Sequence, residues 1–376
     1  MSRITRIGLS ILTGILLSLA WLGFPGWTLF FAFLPLLFID RYFVKNKESY
    51  RSVLFWGHAF LVFLIWNGLT TWWISYATFL GAVMAIVVNS FLMSLIWWLA
   101  HTARRFFKSN LGYLALVAFW ISFEFFHFHW DIEWPWLTLG NGFANNIKMV
   151  QWYEFTGTLG GSVWILVMNI LLFNIIQDLR KRAGFKGLFY PVTGFVLLLA
   201  IPLFYSFSRY SNYIEKGKPL EVVVLQPNVD PYSESFDRAA ENAKLDKLIR
   251  LADSQADENT DLIIGPETIF ESSLDWDEAR LHTNYHYQRL KQLTIEYPNA
   301  EVIFGATTLI FYDSEEEATI TARKYNNRFY DVFNSAIFIE QTGQNQIYHK
   351  SILVNGVEKI PFMKYLGFLR NVFFNL

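Results

Sequence analysis

The chain has 376 residues, a formal net charge of -1, 53% hydrophobic and 19% aromatic residues, only 17% charged ones, and no cysteine. That apolar, aromatic balance excludes an ordinary soluble protein and points to the membrane. No basic stripe suggests a nucleic-acid partner, and the missing cysteines exclude disulfides, thiolate metal sites and a cysteine nucleophile within these residues.

The averages conceal a division. Up to about Ser211 long apolar spans dominate, and from about Glu215 the charge density is that of a soluble domain. Domains are therefore expected at 1–210 and 218–376. A membrane crossing needs roughly 20 apolar residues, and seven spans are expected: 7–22, 27–39, 53–76, 79–100, 111–128, 160–177 and 188–207. The first two form a hairpin turned by Gly23-Phe-Pro-Gly26, and the short second one suits a tilted or partly re-entrant path. No small-residue cleavage site follows the first span, so no cleaved signal peptide is expected. Basic residues occupy every second connection: Arg3 and Arg6, then Arg41, Lys45, Lys47 and Arg51, then Arg104, Arg105 and Lys108, then Arg180, Lys181, Arg182 and Lys186. By the positive-inside rule these ends are cytoplasmic, which sends everything after about Ser208 to the outer side.

Between spans five and six, His127, His129, Asp131 and Glu133 alternate as one face of a strand would, with metal-ligand chemistry. Trp130, Trp134 and Trp136 interleave with them, and the reading preferred here is an interfacial aromatic belt without a metal. Glu124, within span five, is a functional candidate by its position, with an interhelical hydrogen bond as the plainer role. Gly157, Gly160 and Gly161 permit close helix packing.

The outer half alternates short apolar runs with helical periods. Strands are expected at 221–225, 261–265, 301–305, 332–340 and 346–348, and helices at 236–256 and 281–297. The acidic, then polar stretch 313–324 reads as a solvated loop. This alternation argues for an α/β layered domain, whose sites lie beyond strand ends. Two such ends carry charge. The run Asp261-Leu-Ile-Ile-Gly-Pro-Glu267 places Glu267 at the rim of the sheet, as a general base or as a solvated loop glutamate. Lys350 follows the last strand, with Glu358 eight residues on. A lysine and two carboxylates around one centre would let the ammonium stabilise an oxyanion; the plainer reading is a surface lysine beside a loop glutamate. His349 reads as a turn residue.

The segments Val-Leu-Gln-Pro-Asn228, Ile-Ile-Gly-Pro-Glu267-Thr, Phe-Gly-Ala-Thr307, Phe333-Asn-Ser-Ala and Tyr-His-Lys350 make the outer half resemble the nitrilase, or carbon–nitrogen hydrolase, domain. Joined to a multi-span membrane half carrying Pro135-Trp-Leu-Thr-Leu-Gly, Gln151, 157–162 and Asn169, the chain resembles the apolipoprotein N-acyltransferases of bacterial envelopes. The resemblance implies a multi-span α-helical membrane domain plus an incomplete α/β nitrilase-like domain with α-β-β-α layers. The expected setting is the bacterial inner membrane, with the soluble domain periplasmic. It implies Glu267 as general base, Lys350 as the stabiliser of the tetrahedral intermediate, and Glu358 as a second carboxylate shaping the site. It implies transfer of an acyl chain from a phospholipid, through a cysteine thioester, to the α-amine of a diacylglyceryl-cysteine apolipoprotein, with no cofactor or metal. The family's cysteine lies beyond the lysine and has no counterpart here. Ser351 beside Lys350 lacks precedent as its replacement, and Phe236 is the aromatic nearest to the family's substrate-site tryptophan. The chain is accordingly expected to be a C-terminally truncated acyltransferase, inactive as it stands. Two other readings remain: a pseudoenzyme that binds lipid or lipoprotein without catalysis, and a membrane-tethered amidase of the nitrilase type.

Overall fold

The structure is a computed structural model that describes residues 1–107, 111–182, 184–230, 238–271, 274–342, 344–354, 358, 359, 362 and 365. It divides into two compact units, one of residues 1–214 with 354–376 and one of residues 215–353. Phe236 and the residues after 365 lie outside the described ones.

The first unit is helical: α1 Arg3–Ser18, α2 Leu29–Ala32, α3 Leu34–Lys45, α4 Val53–Thr71, α5 Phe79–Phe106, α6 Leu111–His127, α7 Tyr153–Arg180 and α8 Phe185–Ser211. Among the described residues, six segments are long and apolar enough to cross a membrane: Arg3–Leu22, Gly26–Lys45, Val53–Tyr76, Phe79–Phe106, Tyr153–Arg180 and Gly187–Ser211. The seventh expected span, Leu111–His127, is apolar but has 17 residues. At 1.5 Å per residue it is about 25 Å long, short of a hydrocarbon core of about 30 Å. Six segments thus qualify by length, and Leu111–His127, at the lower limit of about 17–25 residues for a span, is the shorter seventh candidate.

The second span is broken rather than continuous. Phe33 separates α2 from α3, with Pro35 in the following turn, and Asn169 of α7 satisfies the break. Its amide donates to Leu29 O at 2.7 Å and its carbonyl accepts Phe33 N–H at 2.9 Å. In a setting without water, that substitution of side chain for backbone partner is what makes the break tolerable. Around it Phe33, Phe63, Trp66, Trp97, Trp120 and Trp164 are fully or almost fully buried, and Phe33 stacks on Trp97 at 4.8 Å.

The second unit holds β1 Val222–Val224, α9 Arg238–Asp253, β2 Leu262–Ile264, α10 Tyr285–Glu296, β3 Glu301–Tyr312, β4 Arg323–Tyr325, β5 Arg328–Ile339 and β6 Asn345–His349. They build one mixed six-stranded sheet, ordered β1-β2-β3-β5-β4, with β6 on the same edge of β5 as β4. β1, β2 and β3 are parallel, while β3 and β5 pair antiparallel from Val302↔Ile339 to Tyr312↔Phe329. Among the described residues β1 has β2 as its one neighbour. Val302, Phe304 and Ala306 of β3 share a buried face with Ile337 and Ile339 of β5, under Leu245 and Leu248 of α9 and Leu290 and Leu293 of α10. The described residues of this unit thus form one mixed sheet with two helices, α9 and α10.

Three expectations change here. β3 runs on past Gly305 to Tyr312, because the glycine interrupts the side-chain pattern without ending the ladder. The supposed solvated loop yields β4, since Arg323 and Tyr325 pair with Tyr330 and Arg328 across a turn at Asn326. His349 is a strand residue paired with Ser335, not a turn residue.

Candidate active site

Glu267 sits where β2 leaves the sheet. Gly265 N–H donates to Ile303 O at 2.7 Å, so the backbone is still laddered two residues before the carboxylate. Beyond it, Ile269 N–H donates to Gly305 O and Thr307 N–H to Phe270 O, and the fully buried Phe270 anchors the return. Between these fixed points the chain arches over Gly305. A Cβ at that position would lie 2.4 Å from Thr268 N and 2.7 Å from Glu267 Cα, so only glycine admits the approach. Thr268 is held at φ +48°, an uncommon conformation for a β-branched residue. Backbone conformations of this kind persist only where their surroundings over-determine them.

Those surroundings include Asn334 of β5. Its amide donates to Glu267 Oε1 at 2.7 Å, and its carbonyl accepts the Thr268 hydroxyl at 3.1 Å. Its backbone carbonyl accepts Lys350 N–H at 2.8 Å. Lys350 Nζ then donates to the same Glu267 oxygen at 2.9 Å. One asparagine therefore fixes both a strand-end carboxylate and the backbone of the lysine that faces it. Sequence pattern identified the two charged residues, whereas Asn334, 67 residues from Glu267, becomes visible only through the strand register. The segment Phe333-Asn-Ser-Ala was its one trace in the sequence.

Side-chain exposure is 63% for Glu267 and 28% for Lys350, so the pair is open to solvent on one side. At that exposure an ion pair is worth about 0–1 kcal/mol; it orients the two groups more than it stabilises the fold. Beside them lies a pocket of about 320 Å³ lined by Gly265, Glu267, Phe304, Asn334, Tyr348 and Lys350, among others. That is near the lower end of ligand-pocket sizes, about 300–1,000 Å³. A carboxylate beside an ammonium at such an opening can take a proton from a nucleophile while the ammonium faces a developing oxyanion.

Glu358 belongs to the other unit, where its Oε2 accepts Val354 N–H at 2.7 Å and closes a turn. Ser351 is exposed, and its Oγ lies 3.0 Å from the Tyr348 hydroxyl.

In the helical unit the alternating residues after α6 take separate partners. The His127 ring accepts Trp130 Nε1–H at Nδ1, so its proton is on Nε2, which donates to Asn89 Oδ1 at 3.0 Å. Asn89 passes a further bond to Asn67 Oδ1 at 2.7 Å. Glu133 pairs with Lys359 at 2.8 Å, and the His129 ring bonds the Phe125 carbonyl. Among the described residues no three His, Cys, Asp or Glu side chains gather as a metal site requires. Glu124 accepts both Trp120 Nε1–H and Leu139 N–H at 2.8 Å, tying α6 to the loop before α7. A second buried cluster was invisible in the sequence: Asp40 of α3 contacts both His101 and Arg104 of α5.

Residues 13–171 match the family described as the apolipoprotein N-acyltransferase N-terminal domain. Beyond that segment the chain is similar to proteins named apolipoprotein N-acyltransferase. With the one from Chlorobaculum tepidum it is 26% identical over 380 residues, which cover 98% of this chain and 68% of that one. With the one from Thermotoga maritima it is 24% identical, covering 96% and 63%. With the one from Geobacter metallireducens it is 27% identical, covering 59% and 43%. The chain thus spans between about two-fifths and two-thirds of the length of these relatives.

Proposed function

We propose that this chain, similar as it is to proteins named apolipoprotein N-acyltransferase, works in lipoprotein maturation. It takes an acyl chain from a phospholipid and delivers it to the N-terminal amine of a diacylglyceryl-cysteine protein. The observation that carries the reading is the Glu267–Asn334–Lys350 arrangement at the mouth of the pocket. In this proposal Glu267 takes the proton of a thiol, the thiolate attacks the phospholipid ester, and Lys350 Nζ faces the oxyanion. The ester C–O bond breaks, the lysophospholipid leaves with the proton from Glu267, and a thioester remains. The amine then attacks the thioester, Glu267 takes its proton, and the thiolate departs as the amide forms. The thiol is not among these 376 residues, so this chain supplies the base and the ammonium while the nucleophile comes from outside it. Glu358 is the second carboxylate of the proposal, and the layered nitrilase-type architecture is its scaffold.

The proposed setting is the bacterial inner membrane, with Leu111–His127 taken as the seventh crossing, the basic connections cytoplasmic and residues from 215 onward on the outer side. The acyl donor and the acceptor both keep their lipid tails in the bilayer, so a reactive end placed at that surface meets both. The test uses the polypeptide as the cell makes it, in vesicles with a phospholipid carrying a labelled acyl chain. A hydroxylamine-labile label on the protein and an amide-linked label on a diacylglyceryl-cysteine peptide are expected. Glu267→Gln is expected to slow label uptake by about 10²–10⁴-fold, the usual worth of a general base; uptake undiminished in that variant would remove Glu267 from the role.

A further inference from the structure

We propose that His349 and Glu278 are positioning residues for Lys350, acting from the opposite face of the sheet. This deepens the reading of Lys350 given above and rests on it. β6 is an edge strand of five residues, hydrogen-bonded to β5 alone among the described residues. Lys350 is the residue immediately after it, with its N–H donating to Asn334 O at 2.8 Å. Consecutive residues of an extended chain face opposite ways. Lys350 accordingly turns toward Glu267, and His349 turns toward the buried face shared by Phe333 and Ser335 of β5 and Thr308 of β3.

On that face His349 is held twice. Its ring stacks on Phe333 at 4.1 Å with 14° between planes. Its Nε2 lies 2.6 Å from Glu278 Oε1, and because a carboxylate only accepts, the imidazole is the donor. Glu278, in the turn Glu278–Thr283 before α10, is itself fixed from below. The Thr308 hydroxyl donates to the same oxygen at 2.6 Å, which leaves Ser335 Oγ, also at 2.6 Å, to donate to Thr308. Thr308 and Ser335 are 0% and 2% exposed. The proton of each hydroxyl thus has one destination, and the line Ser335–Thr308–Glu278–His349 crosses from β5 through β3 and the turn to β6. Asn334 sits between the two faces: its side chain holds Glu267, while its backbone carbonyl holds Lys350 N–H one residue from the His349–Ser335 pair. A hydrogen bond to a charged group is worth more than a neutral one. The His349–Glu278 bond is therefore a charge-assisted tie on this end of β6, on the face opposite the Lys350–Glu267 bond.

The experiment measures reductive methylation of Lys350 in the intact chain, quantified by peptide mass spectrometry with Lys291 and Lys324 as internal references. It needs neither thiol nor acyl donor, so its outcome is separate from the outcome of the acyl-transfer assay. His349→Phe keeps the ring stack and removes the donor; His349→Gln keeps a donor and removes the stack. Lys350 in H349F is expected to react about fivefold faster than wild type, the factor that corresponds to losing a pairing of about 1 kcal/mol with Glu267, and H349Q is expected to stay near wild type. Glu278→Ala, which removes the partner from a different element, is expected to match H349F. Equal labelling of Lys350 in wild type and H349F, or equal labelling in H349Q and H349F, overturns the proposal. If one substitution unfolds the domain, seen as faster labelling of every lysine, the other variant decides. If H349F and E278A both unfold it, the pair is core packing and the positioning role is refuted.

Discussion

At the scale of single residues, the candidate site depends on one absent side chain as much as on those present. Gly305 lets Pro266, Glu267 and Thr268 pass within contact distance of β3, and Gly305 N–H donates to Pro266 O at 3.0 Å. A methyl there meets backbone on every near side, which has no rotamer through which to retreat. Gly305→Ala is therefore expected to cost about 1–3 kcal/mol, the usual range for overpacking, and to displace Glu267 from Asn334. Thermal unfolding in detergent, followed by tyrosine and tryptophan fluorescence, checks the first effect, and loss of acyl-label uptake the second. Glu267 and Lys350 were legible in the sequence because an apolar run, a turn and a charge follow one another along the chain. Asn334, Glu278 and Thr308 were not, because each acquires its meaning from a partner 30 to 71 residues away. In the sequence Glu278 is one more acidic residue in a polar stretch, and Thr308 one more position in a strand.

Elements were legible where a single periodicity ran unbroken. The long apolar helices and the short strands β1, β2 and β6 fall where the pattern puts them. The departures each have a local cause. β3 and β5 are twelve residues each because antiparallel pairing extended a ladder that Gly305 visually ends. β4 lies in a polar run, since a three-residue strand at a sheet margin needs no apolar face. The second span looked short because Asp40 and Arg41 end its apolar run, while the helix, interrupted at Phe33, continues to Lys45. That interruption leads to a prediction at this scale. Asn169→Leu strips partners from Leu29 O and Phe33 N–H together, at about 1–3 kcal/mol for each buried group left unsatisfied. The midpoint of unfolding in mixed micelles is expected to fall clearly, while Asn141→Ala, which removes a bond to Pro135 O at an exposed residue side, is expected to leave it nearly unchanged.

At the scale of the molecule, the proposed topology has a clean test because the chain contains no cysteine. Ser49→Cys, between α3 and α4, and Ser254→Cys, after α9, both replace exposed serines. In intact cells a membrane-impermeant maleimide is expected to label S254C and to spare S49C until the membrane is opened; the reverse pattern would invert the proposed orientation. The basic residues at the S49C end do more than set orientation. Arg105 donates to the carbonyls of Lys47 and Tyr50, and Arg104 is paired with Asp40, so several of the charges read as topological signals also tie helix ends together. The outer margin of β1 has a different consequence. With β2 on one side and Val222 and Val224 exposed by 41% and 69%, it presents backbone donors and acceptors that have no strand partner among the described residues, between two β-branched side chains. Such a margin is a template for a further strand. For anyone purifying the protein, the first threat to a monodisperse sample is then strand addition between molecules at this seam, which more detergent around the helices would leave untouched.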